Sequence, residues 1–282
     1  MVEKIAFAII SFFGKIVYSI KWFLVFLKNE NAKNYVPYVE RKRPLRILSN
    51  GPSLNAELEQ IKDTFDDFDY CLINFSYKTP LFKQIRPQVH VLADPIFFSG
   101  DYLPEMISYF QAVDWDMTLF VPYFFCKDKD VINNPHVHVT PFHKGEYKGF
   151  ENIKMMLFKK GLSMPRPENV VAAAIFNAIN MGYQKIELYG VDHSWLSTLV
   201  INDDNEICVR DVHYYDQKVA VLKPSPRKSN GEKRMLYEAL TSQAICFETY
   251  CKLRKYADYR GVEVLNMTKG SFIDAFERGY KH

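Results

Sequence analysis

The sequence predicts an α/β fold, a mostly parallel sheet flanked by helices, and three observations carry that expectation. Short apolar runs alternate with helical stretches along the body, successive runs end on a polar residue, and a small-residue helix leads through Gly182 into a further strand. At 282 residues and 48% hydrophobic content the chain can bury one large core or two small ones, which excludes disordered and fibrous classes. A net charge of +3, from 36 Lys+Arg against 33 Asp+Glu, is too balanced to point to nucleic acid, so none is expected as a partner. Five scattered cysteines without CxxC spacing read as reduced thiols of a cytosolic domain.

Residues 1–40 read as a membrane anchor and linker, and residues 41–282 as the folded domain. Ile5 to Leu27 form an apolar and aromatic run broken only by Lys15, Lys21 and a few small residues. About 20 apolar residues span a bilayer, but lysines near the middle of a span are costly. A helix lying in the interface lifts both ammonium groups into the headgroup layer, so the reading is a peripheral or monotopic contact with the membrane surface through residues 5–27. The basic residues that follow, Lys28, Lys33, Arg41, Lys42 and Arg43, put the domain on the cytoplasmic face of the inner membrane even if the segment spans. An amphipathic core helix is the plainer alternative. A cleaved signal peptide is disfavoured, because no small-residue cleavage site follows and the n-region holds only Lys4.

The body then alternates. Leu45 to Leu48 is a strand ending at Asn50-Gly51-Pro52-Ser53-Leu54, with a helix from about Ala56 to Phe65. Strands at Tyr70 to Ile73 and Val89 to Ala93 end at Asn74 and Asp94. Ligands of open α/β sheets bind beyond the carboxyl ends of the strands, so Asn50, Asn74 and Asp94 are expected to share one crevice. A helix near Leu103 to Ala112 and strands at Met117 to Val121 and Val137 to Val139 continue the pattern. Glu168 to Met181 is a helix closed by Gly182, and the strand Lys185 to Tyr189 runs into Gly190-Val191-Asp192-His193. Residues 194–231 show no strong periodicity and read as a lid. A long helix from Glu232 to about Tyr259, a strand at Val262 to Leu265 and a last helix from Phe272 to Arg278 close the chain.

Several residues point to chemistry. The segment from Asn50 to Leu54 follows a strand and opens a helix, so its amides and the helix dipole are expected to receive a phosphate; an ordinary Asn-Gly turn is the alternative. Neither the GxxxxGK[ST] nor the GxGxxG pattern is present. His213 can take a proton from an alcohol near neutral pH, and the hydroxyls of Tyr214 and Tyr215 can stabilise a leaving phosphate. His193 competes with His213 as base. Asp114-Trp115-Asp116 and Asp128-Lys129-Asp130 have DxD spacing without a preceding strand, and His136 with His138 lacks a third ligand, so no metal is expected. A Ser-His-Asp hydrolase lacks its GxSxG elbow.

The NGPSL segment, Asn74, the Asp94-Pro95 pair with Phe97-Phe98, and MGYQKIELYGVD at residues 181–192 together resemble the bacterial lipooligosaccharide sialyltransferases of glycosyltransferase family 42. The resemblance covers roughly residues 45 to 282, and NGPSL and MGYQKIELYGVD are its specific parts. It implies a single Rossmann-like (GT-A-like) domain with a mobile lid that uses CMP-activated sugars without a metal cofactor and inverts at the anomeric carbon. Carried over, it implies that Asn50, Gly51, Pro52 and Ser53 contact cytidine monophosphate and that Asn74 lies beside the phosphate or sugar. Asp94 stands where the family has asparagine, and Asn169-Val170-Val171 stands where it has a Thr-Ser-Gly run, which leaves backbone contacts there and removes the hydroxyls. Gly190, Asp192 and His193 end the late strand, Ser194-Trp195 replaces the family's tyrosine, and His213 matches its lid histidine loosely. A divergent relative is implied, with a sugar-nucleotide donor and a glycan or glycolipid acceptor of cell-surface polysaccharide synthesis; a homo-oligomer stays open. A Mg²⁺-dependent pyrophosphokinase-like enzyme of the same superfamily, and a non-catalytic membrane-bound assembly protein, are the competing readings.

Overall fold

A computed structural model of the chain describes residues 2–28, 39–125, 132–210, 222–224 and 231–280. His213, Tyr214, Tyr215 and the Asp128/Asp130 pair lie outside the described residues.

The elements are α1 (Val2–Lys28), β1 (Leu45–Leu48), α2 (Leu54–Ile61), β2 (Asp69–Ile73), α3 (Pro80–Ile85), β3 (Val89–Val91), α4 (Tyr102–Gln111), β4 (Met117–Pro122) and β5 (Val137–Phe142). They continue with α5 (Glu151–Lys159), α6 (Val170–Met181), β6 (Lys185–Tyr189), β7 (Leu199–Ile201), β8 (Ile207–Arg210), β9 (Leu222–Pro224), α7 (Leu236–Arg260), β10 (Glu263–Asn266) and β11 (Glu277–Arg278). Eight strands form one sheet in the order β11-β10-β6-β1-β2-β3-β4-β5, and every pairing in it is parallel. The chain builds outward from β1 in one direction through β5, then returns to lay β6 on the other side of β1. That reversal makes a topological switch point between β1 and β6.

Alternation along the strands divides the core. Leu45, Ile47, Cys71, Ile73, Val89 and Val91 face α6 and α7, while Leu48, Tyr70, Leu72 and Leu92 face α2 and α4. Helix α6 is buried along its whole length, and its alanines let it lie close against β1, β2 and β3. The one buried charge pair of β1, Arg46 to Glu187 at 3.2 Å, joins register partners on β1 and β6 and is steadied by Tyr70 and Tyr189. Breaking such a pair from one side costs about 3–5 kcal/mol.

Helix α1 meets the domain along one stripe. Tyr18 Oη donates to the Glu146 carbonyl at 3.2 Å, Ser19 Oγ and Tyr147 Oη are 2.5 Å apart, and the Trp22 ring packs edge-on against Tyr147. Phe7, Ile10, Phe13, Val17 and Leu24 are exposed. Among the described residues it is the one helix long and apolar enough to cross a membrane by length and composition, over Ile5–Val25 with a mean hydropathy of 1.6.

Two expectations are corrected, and two helices were missed. Phe272 to Arg278 is not a helix: Asn266 Nδ2 donates to Ser271 Oγ and to the Ile273 carbonyl, Ile273 and Phe276 are buried, and β11 pairs with β10. Side-chain capture of the backbone and the open sheet edge outweigh the amphipathic pattern. Residues 194–231 are not wholly irregular, because β7, β8 and β9 form a small antiparallel sheet of strands too short to show a period. Helices α3 and α5 escaped sequence reading, α3 through its length of 6 residues and α5 because only Leu157 and Phe158 are buried on it.

Candidate functional site

The switch point opens into a cavity of about 730 Å³. Its wall is built from residues just past the strands: Asn50, Gly51 and Pro52 after β1, Asn74 after β2, Asp94 after β3, and Gly190, Asp192 and His193 after β6. Asn169, Val170 and Val171 at the start of α6, with Trp195 and Lys144, complete it. Of the residues singled out from sequence for nucleotide contact, only Ser53 stays out of the wall. Asn74 sits at φ 43°, where asparagine is tolerated, and its side-chain oxygen accepts from the Ala93 amide at 3.2 Å. It thereby joins the ends of β2 and β3.

The turn after β1 does not offer its amides to a phosphate. The Gly51 amide donates to the Gly190 carbonyl at 2.9 Å, the Leu54 amide to Gly51 at 3.1 Å, and the Ser53 amide to Asp192 Oδ2 at 3.4 Å, while Pro52 has no N–H. Ser53 Oγ donates to the same carboxylate oxygen at 2.8 Å. The positive end of α2 is therefore already covered by the protein's own anion. Asn50 Nδ2 donates to the Ile73 carbonyl at 3.4 Å, and its Oδ1 is buried without a protein partner. That oxygen is left for a donor on a ligand.

The start of α6 is different. Asn169 caps the helix by accepting from the Ala172 amide at 3.1 Å. The cap fixes which way the Asn169 amide points, so Nδ2 donates to Cys246 Sγ at 2.7 Å and stands 3.2 Å from His193 Nε2. Tyr250 Oη donates to Asn169 Oδ1 at 2.9 Å and lies 2.6 Å from His193 Nε2. Because the single hydroxyl hydrogen of Tyr250 goes to Asn169 Oδ1, Nε2–H donates to Tyr250 Oη, and the imidazole carries its hydrogen on Nε2. Burial pushes His193 down to about 3, so the ring is neutral at physiological pH. Nε2 is committed to Tyr250, and through Tyr250 to the Asn169 cap, which makes His193 a positioning group for the start of α6. The amides of Val170 and Val171, at the first two helical positions, have no intrahelical acceptor and border the cavity. They are the wall's best seat for an anion.

Lys144 supplies the cation. Its Nζ donates to the Ala93 carbonyl, burial lowers its pKa, and the charge of Asp94 opposes that lowering. Of the cavity's carboxylates, Glu168 is paired with Arg166 at 2.6 Å and Asp192 is held by Ser53. Among the described residues no group of three or more His, Cys, Asp or Glu stands close enough to hold a metal ion. Behind the wall, Glu57 Oε2 accepts from the Gly190 amide at 2.6 Å, and burial raises its pKa. Thr268 and Ser271 bind the backbone of Val191, so the Gly190–Asp192 loop is clamped from α2 and from the C-terminal segment. Sequence reading missed Lys144, Glu57 and Tyr250, none of which lies in a motif. The described cysteines Cys71, Cys208, Cys246 and Cys251 are free thiols.

No protein-family profile matches the sequence, and no curated protein matches it. Among solved structures the chain is similar to the MAf glycosyltransferase from Magnetospirillum magneticum AMB-1, at 12% identity and a TM-score of 0.48, over 87% of this chain and 35% of that one. It therefore spans about a third of that protein's length. A second similarity, to a candidate sugar phosphate isomerase/epimerase from Anabaena variabilis ATCC 29413, has 9% identity and a TM-score of 0.19 over 80% of this chain and 54% of the other.

Proposed function

We propose that this chain is a membrane-associated glycosyltransferase that moves a sugar from a CMP-sugar to a glycan or glycolipid acceptor, with inversion and without a metal cofactor. The observation that carries the reading is the cavity at the switch point, which an anion seat at α6, a half-buried ammonium and Asn50, with its unpartnered Oδ1, line together. Its volume of about 730 Å³ suits a nucleotide sugar, within the range of roughly 300–1,000 Å³ typical of small-molecule sites. In this reading the phosphate lies against the amides of Val170 and Val171 and Lys144, and the base or sugar stacks on Trp195. The acceptor hydroxyl attacks the anomeric carbon, the bond from that carbon to the phosphate oxygen breaks, and the proton of the hydroxyl goes to His213. The nucleotide leaves with the bonding electrons, stabilised by Lys144, the α6 amides and the hydroxyls of Tyr214 or Tyr215. The exposed apolar face of α1 holds the domain at the cytoplasmic surface of a membrane, where a lipid-linked acceptor is concentrated.

The test is a thermal-shift series on the full chain in detergent with CMP, CDP, UDP, GDP and ATP, with Mg²⁺ and with EDTA. A ligand at 100 times its dissociation constant stabilises by about 2.7 kcal/mol. Stabilisation by CMP or CDP that persists in EDTA supports the reading. Stabilisation only by UDP, GDP or ATP with Mg²⁺ replaces it with a metal-dependent nucleotide transferase, and no stabilisation by any of them leaves a non-catalytic role.

A further inference from the structure

A second, smaller cavity of about 290 Å³ lies where α1 meets the carboxyl ends of β4 and β5. Trp22 and Val25 of α1 form one wall, Tyr123, Phe124 and Leu162 another, and His143, Lys144 and Gly145 its floor. Three features separate it from a packing defect. It is amphipathic in a graded way: the apolar wall continues through Val25 and Leu24 onto the exposed face of α1, whereas the floor is polar. His143, stacked on Tyr123 with ring centroids 4.6 Å apart, holds its Nε2 buried with no protein partner, and burial keeps the ring neutral by lowering its pKa. Lys144 lines both this cavity and the larger one, so the floor leads to the nucleotide site.

A buried imidazole nitrogen without a partner costs free energy unless a ligand satisfies it. Here the ligand has to present a hydroxyl or similar group at one end and an apolar chain at the other. We infer that this cavity receives the sugar headgroup of a glycolipid acceptor, with the lipid tail lying along the exposed face of α1. The inference rests on the donor reading of the larger cavity, since Lys144 then stands between donor phosphate and acceptor. The neutral His143 hydrogen-bonds a sugar hydroxyl, and Trp22 and Tyr123 present rings to the sugar faces.

Gly145 provides the means of testing it. A Cβ built there meets nothing within 4 Å, the residue is not at positive φ, and its carbonyl accepts from Ser163 and Met164 whatever side chain it carries. Gly145→Phe thus adds a ring at the cavity's lining while sparing the backbone. The full chain in phosphatidylcholine vesicles is photolabelled with dodecyl maltoside bearing a diazirine beside its headgroup, and labelled peptides are mapped. We expect label on the peptides holding Tyr123 to Phe124 and Leu162, reduced roughly ten-fold by Gly145→Phe and roughly five-fold by His143→Phe, the size of one hydrogen bond. Label on the outer face of α1 should be the same in all three proteins and serves as the internal standard. Label confined to α1, or wall label unchanged by Gly145→Phe, overturns the proposal. Equal wall label from a diazirine dodecylphosphocholine overturns the sugar headgroup in favour of a phospholipid. Stabilisation by CMP is read in the same samples: its absence with the wall labelled removes the donor reading and not the amphiphile site, and the reverse pattern removes only the acceptor site.

Discussion

Ser53 Oγ donates a 2.8 Å hydrogen bond to Asp192 Oδ2 and so ties the turn after β1 to the loop after β6 across the switch point. The same closeness leaves no room for a side chain at residue 51, because a methyl group on Gly51 would collide with the Asp192 carboxylate and the Gly190 carbonyl. Gly51→Ala should cost about 1–3 kcal/mol, the usual range for overpacking, and should abolish stabilisation by CMP. Ser53→Ala removes one charge-assisted hydrogen bond, about 1.5–3 kcal/mol in stability, and leaves the cavity wall in place. Denaturant melts with and without CMP check both. Unaltered CMP binding in Gly51→Ala would show that the two loops separate easily and that their contact does not shape the cavity.

Two imidazoles make the fold sensitive to acid. Burial holds His90 and His193 each down to about 3 from an ordinary value of 6.5. Between those values the unfolded chain binds protons that the native chain refuses, so stability is complete above about pH 6.5 and falls as pH drops toward 3. Each ring is worth about 2 kcal/mol by pH 5. His90 lies among Tyr77, Phe82 and Phe110, so His90→Phe keeps the aromatic packing and should remove about one proton from the slope of stability against pH. A slope between pH 6 and 5 that the substitution leaves unchanged would mean that His90 titrates normally.

Lys144 is expected to separate phosphate recognition from base recognition. It is the cavity's half-buried ammonium, and the charge of Asp94 acts on it. Lys144→Met should weaken CMP by about 10- to 100-fold, or roughly 1.4–2.8 kcal/mol, and leave cytidine unchanged. Equal weakening of both ligands in calorimetric titration would place the lysine at the base and not at the phosphate.

The strands could be read from sequence because parallel strands buried on both faces are short, largely apolar runs, as at Tyr70 to Ile73. From the strand ends the crevice followed, since the fold itself brings Asn50, Asn74, Asp94 and Asp192 together. What could not be read was how the loops spend their hydrogen bonds. The amides of the turn after β1 look free in sequence, and only the register of β1 against β6 shows that Gly190 and Asp192 have taken them. Glu57 and Tyr250 reach the loop after β6 across 133 and 57 residues, a separation that no local pattern encodes. Phe272 to Arg278 failed for the same reason: Asn266, outside the segment, binds its backbone.

The base assignment starts from what His193 already holds. His193 Nε2 donates to Tyr250, which donates to Asn169, and through them it braces the cap of α6 where the donor phosphate is proposed to lie. Losing it should disturb binding first: His193→Ala should raise the dissociation constant of CMP about 10-fold, near 1.4 kcal/mol, while the chemical step at saturating donor changes little. His213→Ala should do the opposite, lowering kcat by about two to four orders of magnitude, the typical worth of a general base, with CMP affinity unchanged. Measuring kcat and CMP affinity for both variants reads the two roles independently. A fall in kcat at unchanged CMP affinity in His193→Ala would mean that the His193 ring takes the proton itself. Retained kcat in His213→Ala would then leave the lid histidine with no part in the reaction.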